Sequence, residues 1–306
     1  MAGDVNYSNV SLLLHCDGVN NSTTFADNSS TPKTVTANGL AKISTAQSKF
    51  GGASGVFSGS TSYLSVPYSS ELSLVSGDFT IEAWIYLTTL TSSSQAILDK
   101  DGVEGASYPQ YSLGVNSTGK IDCFLGNGNG VSPVGGSFVG ITTITLNAWH
   151  HVAIVRTGST CKGFLNGSQE WSGAAATMYE GSKPLLIGYS SGQPTAAFFN
   201  GHIDDLRITK GVARYTANFT PPTSAFANGL AQVSGIIRDN SGTPCARTVR
   251  LVRRDTGAPV GNTTSNASTG LYAIDVSTLD EVVRIVHSNT TTAPLENDLI
   301  DRVIPA

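Results

Sequence analysis

Residues 147–173, NAWHHVAIVRTGSTCKGFLNGSQEWSG, set Trp149 against two adjacent histidines, His150 and His151. Imidazoles exchange protons near neutral pH and bind metals readily, so this pair is the first place to look for chemistry. An alternating run follows it, and in a strand successive side chains point to opposite faces. His150 then shares a face with Val152 and Ile154, and His151 shares the other with Ala153 and Val155. Histidines that face apart do not cooperate at one site. Paired carboxylates, the groups that hydrolyse glycosides, are equally scarce. Glu82 has Thr80 and Trp84 as same-face neighbours, and Asp99 and Asp101 lie in LDKDGVEG, which reads as a turn. No Gly-x-Ser-x-Gly, His-Glu-x-x-His or phosphate-binding loop is present. An enzyme is not expected.

The elements that must carry these residues are strands. FTIEAWIYL (79–87) alternates Ile81, Ala83, Ile85 and Leu87 with Thr80, Glu82, Trp84 and Tyr86, the period-two signature of a half-buried strand. YSLGVN (111–116), KIDCFLG (120–126), HHVAIVR (150–156), CKGFLN (161–166), PLLIGYS (184–190) and GHIDDLRIT (201–209) continue the series. Asn166-Gly167 supplies a hairpin turn, because both central positions of such a turn need positive φ. Short strands with Gly- and Asn-rich punctuation predict an all-β chain, a sandwich or barrel. The consecutive prolines of FTPPTSAFANGLA (219–231) interrupt pairing and mark a boundary. Beyond it, AQVSGIIRD, RTVRLVRRD, GLYAIDV and VVRIVHS predict a second, smaller β-sandwich. The domain reading is therefore 1–222, a linker at 223–231, and 232–306.

Only 13% of the 306 residues are charged and the net charge is −4. The longest basic cluster is RLVRRD (250–255), too little to displace counterions from a phosphate backbone. Nucleic acid is not an expected partner. Apolar runs are strand-sized, so membrane insertion is not expected. The start, MAGDVNYSNVSLLLHCDG, does not read as a secretory signal, which points to folding in a cytoplasm or to export by a route that needs no signal. The cysteines, Cys16, Cys123, Cys161 and Cys245, have no C-x-x-C spacing. They read as buried free thiols, with Cys123 and Cys161 the pair that neighbouring strands could bring together.

GDFTIEAWIYL, NAWHHVAIVRTG, CKGFLNG, LLIGYS and FNGHIDDLRITKGVARYTANFTPP resemble, in order, the laminin-G-like, concanavalin-A-like jelly-roll domains of bacterial surface and phage tail proteins. The resemblance covers roughly 11–222. LLLHCDG at its start and GVARYTANFTPP at its end look like the phage and prophage versions. VSGIIRDNSGTPCARTVRLVRRDTGAPVG and STGLYAI are similar to the small transthyretin-like or carboxypeptidase-regulatory-like sandwiches of tail proteins, over about 232–306.

The resemblance implies a calcium ion at the sandwich rim, held by Asp27 of FADNSS and Asp204 of GHIDDLRIT, with Asp205 as the alternative. Asp27-Asn28-Ser29-Ser30 lacks the glycines usual in that loop. It also implies a carbohydrate site built on aromatic faces and amides, for which Tyr108, Tyr111, Asn127, Asn129 and Trp171 are the candidates. The expected function is that of a virion protein of the phage tail or baseplate, attached to other virion proteins, homo-oligomeric, and recognising a host-surface glycan. The alternative is a capsid or tail decoration protein with no ligand.

Overall fold

The computed structural model describes residues 3–91, 93–101, 109–126, 138–175, 177–178, 180–191, 197–229, 231–239, 241–253, 259–276, 283–288 and 300–303. The chain divides into two compact units, Asn9–Phe226 and a smaller one made of Met1–Ser8 with Ala227–Ala306.

The larger unit is a pair of antiparallel eight-stranded sheets. In the first, the spatial order is Ser168–Ala174, Thr160–Leu165, Trp149–Thr157, Phe79–Leu87, Asn200–Lys210, Ser54–Ser58 and Lys42–Ser44, with Val10–Leu14 also paired to Asn200–Lys210. In the second it is Phe138–Thr143, Lys120–Leu125, Pro109–Val115, Gln95–Asp101, Leu185–Ile187, Tyr63–Val66, Val35–Asn38 and Thr24–Phe25. Alternation decides what lies between them. Ile81, Ile85, Val152, Ile154 and Ile203 enter the core from the first sheet, and Leu64, Val66, Leu98, Leu113, Ile121 and Leu185 from the second. Each such side chain taken from water stabilises the fold by about 1.5–3 kcal/mol. Asn166 and Gly167 take φ of 50° and 79°, as the hairpin turn requires.

Three features depart from the sequence reading. Residues 95–101 form a strand in the middle of the second sheet, paired to Pro109–Val115 on one side and Leu185–Ile187 on the other. LDKD is thus not a turn; its charges disguise the alternation, and both Asp99 and Lys100 are fully buried. Cys123 and Cys161 both enter the core, but from opposite sheets rather than neighbouring strands. Burial pushes the Cys161 thiol up to about 12 and Cys123 well above its usual range, so both are poor nucleophiles. Finally, the strand Phe79–Leu87 is buried on both faces. The segment 211–226 roofs its outward side, where Tyr215 and Phe219 stack at 3.6 Å and pack with Ala153, Val155 and Phe164.

In the smaller unit, Ala231–Ile236 pairs with Leu271–Val276, and Pro259–Thr264, Thr248–Arg253, Val283–Ser288 and Ile300–Val303 form a four-stranded sheet in that order. Its core holds Ile237, Val249, Leu251, Tyr272 and Ile274, with Val5 packed against it. Asp4 N–H donates to Gly229 O at 2.8 Å. These contacts explain why residues 1–8, which the sequence placed with the larger domain, group with the smaller one.

Candidate functional site

Beneath the roof lies a closed polar cluster. Glu82 sits opposite Ala153 on one neighbouring strand and Arg207 on the other. Its Oε1 accepts from Arg207 Nε at 3.0 Å and Nη2 at 2.7 Å, and its Oε2 accepts from Tyr215 Oη at 2.7 Å. His151 Nε2 lies 3.2 Å from Oε2. Burial alone would raise the Glu82 pKa; the charges of Arg207, His151 and Arg214 outweigh it and hold the carboxyl well below its usual range. The Arg207 guanidinium also lies 3.6 Å from the centre of the Phe226 ring. Glu82 and His151 are fully buried, so the cluster fastens the roof to the sheet and offers nothing to a substrate. His150 belongs elsewhere, with Nε2 3.0 Å from Thr145 O and Nδ1 2.9 Å from Asn166 Nδ2. The two histidines do face apart, as the alternation requires.

The carboxylates expected to hold calcium point at hydrogen-bond donors. Asp27 Oδ1 accepts from the N–H of Leu13 and Ser29, and Oδ2 from Ser29 Oγ and Lys33 N–H. Asp204 Oδ2 accepts from the N–H of Lys49 and Phe50 at 2.7 and 3.2 Å. Asp205 contacts His15 Nδ1 at 2.5 Å and accepts from Phe226 N–H at 2.7 Å. N–H and O–H donors take both oxygens of Asp27 and Oδ2 of Asp204, and Asp27 and Asp204 serve separate hydrogen-bond networks. Among the described residues no three His, Cys, Asp or Glu side chains group as metal ligands. Asp27, with both oxygens already taken by its own surroundings, does not fit a calcium ion as arranged.

Asp204 instead reports on pH. Burial pushes its pKa up to about 7 despite the two N–H bonds, and burial likewise lifts Asp122 to about 6, against 3.8 for an ordinary aspartate. A group that binds its proton more tightly when folded adds stability below its unfolded pKa and loses it as pH rises through the folded one. Between about pH 4 and 7 the wild type should therefore lose stability that an Asp204→Asn variant keeps. Thermal melts of both proteins across that range check it.

Of the residues expected to bind carbohydrate, Tyr108, Asn127 and Asn129 lie outside the described residues. Tyr111 is a core residue. It is fully buried and its hydroxyl donates to Leu72 O at 2.8 Å, so it has no ring face for a sugar. Trp171 stacks on Phe138 at 4.4 Å and 10°, and its indole edge lies where a side chain on Gly163 would be. It bridges an outermost strand of each sheet.

The outward face of the second sheet offers rings that the sequence did not single out. Leu64 and Val66 point into the core, so Tyr63 and Ser65 point out. Leu186 faces outward between core residues Leu185 and Ile187, next to Ser65 in register. Beyond Gly188, at φ 81°, the chain forms a small hairpin of Tyr189–Ser190 with Ala197–Phe198. Tyr189 stacks on Phe198 at 4.4 Å, and Tyr63 leans on Tyr189 at 5.2 Å. All three rings are half-buried. Asn38 Nδ2 donates to Ser65 Oγ at 3.1 Å, edging the group with an amide. Neither the Tyr63 nor the Tyr189 hydroxyl bonds to another described residue, so each can donate to or accept from a ligand. The signal was available in YLSV and LLIGYS, where tyrosine alternates with core residues; what brings the two together is the pairing of Tyr63–Val66 with Leu185–Ile187.

The arrangement has known relatives in fold. The binding domain of Paraclostridial Mosquitocidal Protein 1 superposes with a TM-score of 0.50 at 14% identity, over 97% of this chain and 73% of that one. The binding domain of botulinum neurotoxin serotype D gives 0.51 at 13% identity, over 94% and 74%. The same ligand-binding domain in complex with N-acetylneuraminic acid gives 0.51 at 12%, over 93% and 72%. No curated protein matches the sequence. Residues 58–214, half of the chain, match the family Laminin_G_3, and the chain thus belongs to the concanavalin A-like lectin/glucanases superfamily.

Proposed function

We propose that the larger unit is a glycan-binding module and that Tyr63, Tyr189 and Phe198 are its platform. The observation that carries this reading is the group of three touching rings on the outward face of the second sheet. The 211–226 roof covers Ala153, Val155 and Phe164 on the first sheet, and the second sheet presents three touching, half-buried rings edged by amide and hydroxyl groups. Aromatic rings with a few polar groups around them are the usual make-up of a small-ligand site. The solved structures of similar fold are binding domains, and one was solved with N-acetylneuraminic acid.

The wider role is attachment of a phage or prophage virion to its host, with the chain in the tail or baseplate and the smaller unit a transthyretin-like sandwich. LLLHCDG and GVARYTANFTPP, which look like the phage versions of the domain, support it. In this reading the chain binds other virion proteins and assembles as a closed homo-oligomer. Purified, labelled protein titrated onto a panel of bacterial cells and envelope glycans should show saturable binding to some of them, unchanged by EDTA. A folded sample that binds none would end the glycan reading in favour of architecture alone.

A further inference from the structure

We infer that the platform selects uncharged sugars and rejects acidic ones. This rests on the glycan-binding reading and narrows it. A sialic or uronic acid brings a carboxylate whose desolvation must be offset by a cation or several N–H donors, and Arg is the usual provider. The described stretches around the platform, 34–41, 50–70, 184–191 and 197–201, contain no Asp, Glu, Lys or Arg at all.

The charges closest in register have the wrong sign for an acidic ligand. Across the sheet, Thr36, Ser65, Leu186, Asp99, Ser112 and Phe124 stand opposite one another on successive strands. The carboxylate of Asp99 is therefore one strand away from Leu186 and two from Ser65. Lys100 alternates to the other side, where its Nζ donates to Gly181 O at 2.9 Å. Lys120 and Asp122 share the face of Asp99 but both stand four strands from Tyr63. An anion on the rings would leave water with no cation among the platform's own residues to receive it. A neutral hexose or N-acetylhexosamine meets no such cost. Its C–H face can lie on a ring, and its hydroxyls can bond to the tyrosine hydroxyls and the Asn38 amide.

The test is equilibrium binding of the full chain to a panel of uncharged oligosaccharides, each matched with its sialylated or uronic-acid counterpart, in low and moderate salt. Uncharged members should bind at least tenfold tighter than their acidic partners, with little change in salt, because no ion pair is screened. Tyr189→Ala should abolish that binding, and Tyr189→Phe, which keeps the ring, should retain most of it. Acidic glycans binding as tightly as or tighter than their neutral partners would overturn the charge selection while leaving sugar binding intact. No binding to either class would overturn both.

Discussion

Glu82→Ala should destabilise the larger unit by about 3–5 kcal/mol, the range expected when one partner is removed from a buried ion cluster. The deletion leaves the Arg207 guanidinium under the roof without the carboxylate that takes two of its hydrogen bonds. It also strips the Tyr215 hydroxyl of its acceptor. Tyr215 is one half of the stacked pair with Phe219 that covers the sheet, so the damage spreads to the roof. Glu82→Gln keeps the shape and one acceptor oxygen but removes the charge, and should fall between the wild type and alanine. Urea titrations of the three proteins measure the differences. A loss below about 1 kcal/mol for alanine, the size of an exposed pair, would show that the cluster does not hold the roof.

Gly167→Ala should cost about 2–4 kcal/mol, more than a glycine in an open turn, because two penalties coincide. Gly167 has φ 79°, where an L-residue is strained. A Cβ there would overlap the carbonyl oxygen of Phe219, which is backbone and cannot swing aside. The same two residues share the hydrogen bond from Phe219 N–H to Gly167 O at 2.9 Å, so relief of the overlap breaks a roof attachment. In limited digestion, trypsin should cut the variant after Arg214 far sooner than the wild type. Gly158→Ala is the control. It has a similar φ of 55°, and its Cβ would meet nothing within 4 Å. It should show the backbone cost alone.

The roof marks the limit of what alternation can reveal. A period of two assigns Thr80, Glu82 and Trp84 to one face and Ile81, Ala83 and Ile85 to the other, and both assignments hold. It says nothing about what covers the outer face. A glutamate among outward residues reads as solvated, and nothing near it in sequence announces Arg207 or Tyr215. The segment that covers it, GVARYTANFTPPTSAF, has no alternating pattern, and its consecutive prolines read as a boundary rather than a cover. Asp99 and Lys100 hid a central strand for a related reason, since adjacent charges beside glycines resemble a loop until their burial is seen.

The site was legible only in part. Tyr111 and Trp171 drew attention as aromatics on strands, but ring type does not tell a core position from a surface one. Leu72 O claims the first and Phe138 the second. Tyr63 and Tyr189 lie far apart in the chain and meet because Leu186 pairs with Ser65. Which strands become neighbours is a property of topology, and spacing within one strand does not contain it. Asp27 shows the reverse case: a loop aspartate suited to metal by type is used by its own backbone surroundings.

The central claim is that sugar is held on the rings of the second sheet. The most direct measurement is the affinity of the Tyr63→Ala/Tyr189→Ala double variant for whichever cell surface or glycan the wild type binds. The urea midpoint of each protein is measured alongside, to confirm folding. The account predicts at least a tenfold loss, about 1.4 kcal/mol, with the fold retained, because both rings are half-exposed and lie outside the core. Affinity equal to that of the wild type in a folded double variant would contradict it, and the binding surface would then have to be sought elsewhere on the chain.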